Sequence, residues 1–175
     1  MGEILVPEGQ LPRGWREAIA DIARRTRDVF ARHPWALLSM RGAPPGPNAM
    51  RHFEQSLEAL EKAPMSQEGK LALLQLVDDF VFGHALRTAE ARAWLGSDSN
   101  QARSAEALSQ QLLKTGSLPR TAALFAKAGS RDAARHRQLL TEDRFERALA
   151  AVLDGAARCL SQDKGRRRSN SRRGG

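Results

Sequence analysis

The sequence predicts an all-α domain, a multi-helix bundle followed by a disordered basic tail. Apolar residues recur at three- and four-residue steps through most of the chain, the period of a helix with one buried face. No segment alternates apolar and polar residues over the length of a strand. Pro, Gly and small polar residues fall between the periodic segments, where they end one helix and begin the next. A chain of 175 residues, 41% of them hydrophobic, has enough apolar content for one core.

The elements follow in order. Residues 1–13 carry no helical pattern and read as an extended linker remnant. Trp15, Ile19, Ile22, Thr26, Val29, Phe30 and His33 mark an amphipathic helix over about 14–32, closed by Pro34. A short helical turn, WALLSM, precedes the break Pro44-Pro45-Gly46-Pro47. Pro47 suits the first turn of a new helix over about 48–62, Asn48 is a candidate cap, and Met50, Phe53, Leu57 and Leu60 mark its buried stripe. The segment from about 67 to 95 is apolar around most of its girth, with Leu71, Leu74 and Val81 on one face and Leu73, Leu76, Phe80 and Gly83 on another. Such a helix packs on several sides and is expected at the centre. Gly96 to Asn100 end it, and a further helix covers about 101–114. Gly116 stops that one, Pro119 restarts a short helix with Ala122, Phe125 and Ala126 inward, and residues 130–138, polar and basic, read as a loop or a loose helical turn. Thr141 is a candidate cap for a last helix whose stripe is Phe145, Ala148, Leu149, Val152 and Ala156.

The net charge of +8 is unevenly placed. The last twelve residues, KGRRRSNSRRGG, hold one Lys and five Arg and no acid; 28 basic residues less these 6 leave 22 against 20 acidic ones. The body is nearly neutral, and residues 161–175 form an Arg-rich tail too polar to bury a core. That tail is either a solubilising appendage or a weak, salt-sensitive contact for a polyanion. No uninterrupted apolar run is long enough for a membrane span, and the N-terminus lacks a signal-peptide pattern. One cysteine, Cys159, has no internal partner, which fits a reducing, cytoplasmic setting.

Motifs for chemistry are missing from the sequence. There is no glycine-rich phosphate loop, no GxSxG turn and no HExxH pair. His33, His52, His84 and His136 lack metal-ligand spacing, so no metal and no cofactor are expected. His33 and His84 lie on apolar faces, either as buried structural histidines or as pocket-lining ones. Asp78 and Asp79 point to different sides of one helix and cannot serve jointly as acid and base. Arg24, Arg25 and Arg27, flanked by Asp21 and Asp28, read as a solvated face. No compact basic recognition helix for DNA is present. Nothing here argues for an enzyme.

Four segments, in order, resemble a known family. GWREAIADIARRTRDVFARHPW is similar to a helix of the form W-R-x-x-L…-A-R-x-x-R-x-x-x-x-x-H-P-W; RGAPPGPNAMRHFEQSLEALEKA is similar to R-x-P-x-G-P-N-A-L-R; LLQLVDDFVFGHAL is similar to an apolar helix with an internal F/G pair; and DRFERALAAVLDGAARC is similar to F-x-x-x-L-x-x-x-L-D-G. Residues 14–160 thus resemble the C-terminal, ligand-binding and dimerisation domain of tetracycline-repressor (TetR) type transcriptional regulators. The start, Met1-Gly2-Glu3-Ile4, is similar to the end of the family's connecting helix, and the helix-turn-helix that family members carry ahead of it is not in this sequence.

The resemblance implies a homodimeric sensor domain that binds a small hydrophobic or amphipathic ligand and meets DNA only through a helix-turn-helix absent here. It implies pairing of the long central helix and the last helix with their symmetry mates, so Phe145, Ala148, Leu149, Val152 and Ala156 are either the dimer interface or intramolecular core. It places a cavity among the first, second and central long helices, with Phe30, His33, Met40, Phe53, Leu57, Val77, Phe80, Val81 and His84 as candidate walls. A competing reading is a helical interaction module whose Arg-rich tail binds nucleic acid or an acidic protein.

Overall fold

A computed structural model describes residues 2–39, 44–95, 100–127 and 142–161. Met40, the stop over 96–99, the stretch 130–138, Thr141 and the tail from 162 lie outside the described residues, as do the side chains of Phe125 and Ala126. Among the described residues a 3-10 turn, Gly2–Ile4, precedes seven helices: α1 (Trp15–Arg32), α2 (Trp35–Ser39), α3 (Pro47–Ala59), α4 (Gln67–Leu95), α5 (Asn100–Lys114), α6 (Pro119–Lys127) and α7 (Glu142–Ser161). The described residues contain no strand, and no helix among them is long and apolar enough to cross a membrane. The fold is all-α.

The chain divides into two compact units, residues up to Leu86 together with those from Phe145 on, and Arg87–Arg144. In the first, one core joins α1 (Ile19, Ala20, Ile22, Ala23), the turn after α3 (Leu60, Ala63, Met65), α4 (Leu73, Leu74, Val77, Val81) and α7 (Phe145, Leu149, Leu153, Ala156). Each large apolar side chain buried here contributes about 1.5–3 kcal/mol. Thr26 sits inside the apolar stripe of α1 and stays satisfied by donating to Ile22 O at 2.9 Å. A smaller cluster of Phe30, Ala36 and Ala85, with Phe82 and Leu37 against it, extends the core along α4. The second unit contains α5 and α6, which follow one another through a turn at Gly116, whose positive φ of 70° suits glycine.

Local chemistry explains the helix ends. Pro34 follows His33, whose N–H donates to Val29 O at 2.8 Å and closes α1. Pro47 is the first residue of α3, as its fixed φ favours. The cap position is Gly46, with no side-chain bond, so Asn48 is not the cap; it lies within the first turn. Ser66 caps α4 by accepting from Gly69 N–H at 3.1 Å.

The N-terminal segment departs from the expected linker. Ile4 and Val6 are buried, and Val6 belongs to the main core. Sequence periodicity has no hold on so short a segment, because two inward residues in six make no pattern.

Candidate functional site

The nine expected wall residues fall into separate settings. Phe30 is buried in the smaller cluster, its ring 5.0 Å from that of Phe82. Leu57, Val77 and Val81 pack in or against the main core. Phe80 and His84, one turn apart on α4, meet Phe145 of α7 with ring centroids at 5.3 and 4.9 Å. His33, at the C-terminal end of α1, lies 3.4 Å from Glu3 Oε1 and presents an edge to Trp35. Phe53, on α3, is 41% exposed. Met40 lies outside the described residues.

The stripe on α7 is likewise divided. Phe145, Leu149 and Ala156 are buried within the protomer's own core, because they face α1 and α4. A second copy could not reach them without opening that core. Ala148 and Val152 are half-buried and flank the core-facing side.

The three arginines on α1 are not a plain solvated face, and this corrects the sequence reading. Arg24 makes a bidentate pair with Glu146 at 2.9 and 2.8 Å. Arg27 is only 14% exposed; its guanidinium lies 4.5 Å from the centre of the Phe145 ring, between Asp28 at 2.8 Å and Glu146 at 3.7 Å. Only Arg25, paired to Asp21 one turn back, behaves as expected. Glu146 and Phe145 are more than a hundred residues away in sequence, which is why local charge spacing does not reveal them. Donation from Arg24 holds the Glu146 carboxyl below the usual carboxylate range, with the charges of Arg24 and Arg27 adding to it.

A cleft of about 190 Å³ runs between α1 and α7, floored by Ala20, Leu149 and Leu153, with Arg16 and Arg24 on its lips. Both lip arginines are already paired, Arg16 with Asp154 and Arg24 with Glu146. Its volume falls short of the roughly 300 Å³ at which small-molecule sites begin. It is a seam between packed helices rather than a ligand cavity.

Helix α3 is packed differently. Among its described side chains only Ser56 is fully buried; of the expected buried stripe Leu57 and Leu60 face the core, whereas Met50 and Phe53, nearer the start of the helix, are exposed. His52 Nδ1 is shielded from solvent with no partner among the described residues, and burial lowers the pKa of the ring, which favours neutral imidazole. Gln55 bonds both backbone groups of Val6, a contact no motif announces. On α4, Asp78 is raised to about 6, chiefly by desolvation and then by the Asp79 carboxylate. Its own surface remains open to water, so crowding nearby rather than enclosure is the cause. Among the described residues no group of three His, Cys, Asp or Glu side chains could hold a metal ion.

Residues 8–160 match the family described as "Tetracyclin repressor-like, C-terminal domain". The chain is also 27% identical, over 158 residues, to the HTH-type transcriptional repressor DrrR1 of Streptomyces coeruleorubidus. That similarity covers 87% of this chain and 55% of the repressor, so the chain spans about half of its relative's length.

Proposed function

The chain belongs to the tetracyclin repressor-like C-terminal domain family, and from that premise we propose that it is the small-molecule-sensing and dimerisation domain of a one-component repressor. The observation that carries this reading is the family match across nearly all of the helical body, from the N-terminal segment to α7. The DNA-reading step belongs, in this reading, to a helix-turn-helix outside residues 1–175, as the name and the greater length of DrrR1 suggest.

Two helices offer surface for a second copy. On α4, Leu71, Leu76 and Leu86 are exposed, and the helix is apolar on sides its own core does not use. On α7, Ala148, Val152 and Gly155 lie at three- and four-residue spacing beside the buried stripe, small enough for close helix approach. An isologous contact through these faces would cover the exposed leucines. Phe145, Leu149 and Ala156 support that contact from behind rather than forming it.

The ligand would lie among α1, α3 and α4. Of the expected walls, Phe53 is exposed on α3, and Leu57, Val77 and Val81 pack in or against the main core, so a ligand would enter from the α3 side over that apolar backing. Such a lining suits a hydrophobic or amphipathic molecule held by one or two polar groups. A ligand that fits one arrangement of α3 better than another would shift the population between them.

Native mass spectrometry of the purified chain tests the reading directly. A dimer with an added small mass is the expected result. A strict monomer with no added mass would overturn it.

A further inference from the structure

Six cations of this chain stand apart from the rest. Helix α1 has five arginines, and each is paired: Arg16 with Asp154, Arg24 with Glu146, Arg25 with Asp21, Arg27 with Asp28, and Arg32 with Glu3. Residues 164–175 hold Lys164, Arg166, Arg167, Arg168, Arg172 and Arg173, with no acid and no apolar side chain among them. Over residues 1–163, 28 basic side chains less these 6 leave 22 against 20 acidic ones, so there is no acidic surplus to neutralise that segment. Its composition selects the partner. Five Arg to one Lys suits phosphate, because the planar guanidinium donates two parallel N–H bonds to phosphate oxygens. A protein groove or a membrane calls for apolar anchors, and the segment offers none.

The fold fixes where that segment leaves the body. Arg16 meets Asp154 and Arg24 meets Glu146, so α7 runs antiparallel to α1. The Cβ of Leu160 lies 3.5 Å from where a Cβ on Gly69 would stand, which sets the last turn of α7 against the start of α4. Helix α7 therefore ends towards the N-terminal end of α1. Glu3, by contrast, bonds to Arg32 at 2.9 Å and lies 3.4 Å from His33, at the C-terminal end of α1. The first residues of the chain and the end of α7 thus lie at opposite ends of an 18-residue helix, about 27 Å long.

We propose that residues 164–175 grip the phosphates of duplex DNA at the α7 end of the domain, on a stretch other than the one read by a helix-turn-helix joined ahead of residue 1. The choice of DNA rests on the repressor reading, which keeps the chain beside it. The placement rests on α1 and α7 alone. Phosphate contacts carry no base sequence, so the grip is electrostatic and blind to the operator. Contacts at opposite ends let one protein hold two stretches of duplex together.

Binding of the full chain to a random-sequence DNA duplex tests the charge. Affinity should fall about a thousandfold between about 50 and 200 mM salt when all six cations meet phosphates. Arg166→Gln, Arg167→Gln, Arg168→Gln, Arg172→Gln and Arg173→Gln, made together, should abolish binding and leave the urea midpoint unchanged, since the main core contains none of them. The matching five Arg→Lys changes should keep the salt dependence, because charge sets it. Binding that survives the glutamine changes would overturn the proposal, and so would displacement by polyglutamate as readily as by DNA, which would make the partner an acidic protein. Placement is tested through Cys159, the only cysteine, exposed near the end of α7. A photo-crosslinker attached there should mark bound DNA, and one attached through Glu3→Cys in a Cys159→Ser chain should not. Equal marking from both positions would overturn the placement. A chain found monomeric and empty by mass spectrometry would sink the sensor reading and leave the salt dependence and the cross-links standing.

Discussion

Helices α7 and α3 are both amphipathic by sequence, yet the structure uses them in opposite ways. Every fourth or third residue of α7 from Phe145 to Ala156 is buried against α1 and α4, and arginines from α1 lock the edge of that stripe. Helix α3 buries only Ser56 fully, leaves Met50 and Phe53 in solvent, and holds a His52 nitrogen with no partner among the described residues. One helix is a wall that cannot shift without unfolding the core. The other meets the core through Leu57 and Ala59 and leaves its other large apolar side chains in water. A domain that must stay folded while changing shape needs both, and amphipathicity alone does not say which is which.

The strongest way to break the contrast is a matched pair of truncations. Leu149→Ala should cost about 2–5 kcal/mol of unfolding free energy in urea, since it empties a closed site. Phe53→Ala should change stability by only about 0.5 kcal/mol, as surface substitutions do. Equal losses would mean that α3 is as firmly packed as α7. Next in size is Arg27→Lys, which keeps the charge but loses the planar contact with Phe145 and should cost about 1 kcal/mol in the same assay.

Glu146→Gln sharpens the electrostatic side of the seam. A carboxyl whose folded pKa is lowered adds stability that is present above its ordinary value of 4.5 and is lost as pH falls through the folded value. The variant should therefore be less stable than the parent at pH 7, by no more than about 1 kcal/mol for a partly exposed pair. The gap should close in melts at progressively lower pH below 4.5. A gap independent of pH would deny the pair its role.

Asp78→Asn is expected to have the smallest effect and the opposite sign. With the folded pKa raised from 3.8 to about 6, the folded chain holds its proton longer than the unfolded one, so stability falls as pH rises through that window. The neutral variant should melt higher than the parent at pH 7 and match it below pH 3.8. Because the side chain keeps access to water, the difference should be slight.

Much of the fold was legible from residues alone. The long apolar helix was expected over about 67–95 and occupies Gln67–Leu95, because a long segment apolar around most of its girth admits few other structures. Pro34 and Pro47 marked helix boundaries for the reason that proline always does. What a helix faces was harder to read. The stripe on α7 was equally compatible with a partner copy and with the protomer's own core, and only tertiary packing assigns Phe145 and Leu149 to the latter. The paired roles of Arg24 and Arg27 rest on a residue at 146, and the docking of Val6 rests on one at 55; neither distance leaves a local signature.

The seam between α1 and α7 also bears on how the chain is made. Its arginine pairs join residues 122 and 138 positions apart, so the first long helix cannot cover its apolar face until the last one has left the ribosome. At ordinary rates of synthesis that interval is on the order of ten seconds. Through it, Ile19 and Ile22 have no α7 to meet, and the nascent chain is a natural client for chaperones that hold exposed hydrophobic segments. A message cut short before codon 145 would yield a product with that face permanently open, so quality control has a clear mark by which to recognise an unfinished copy.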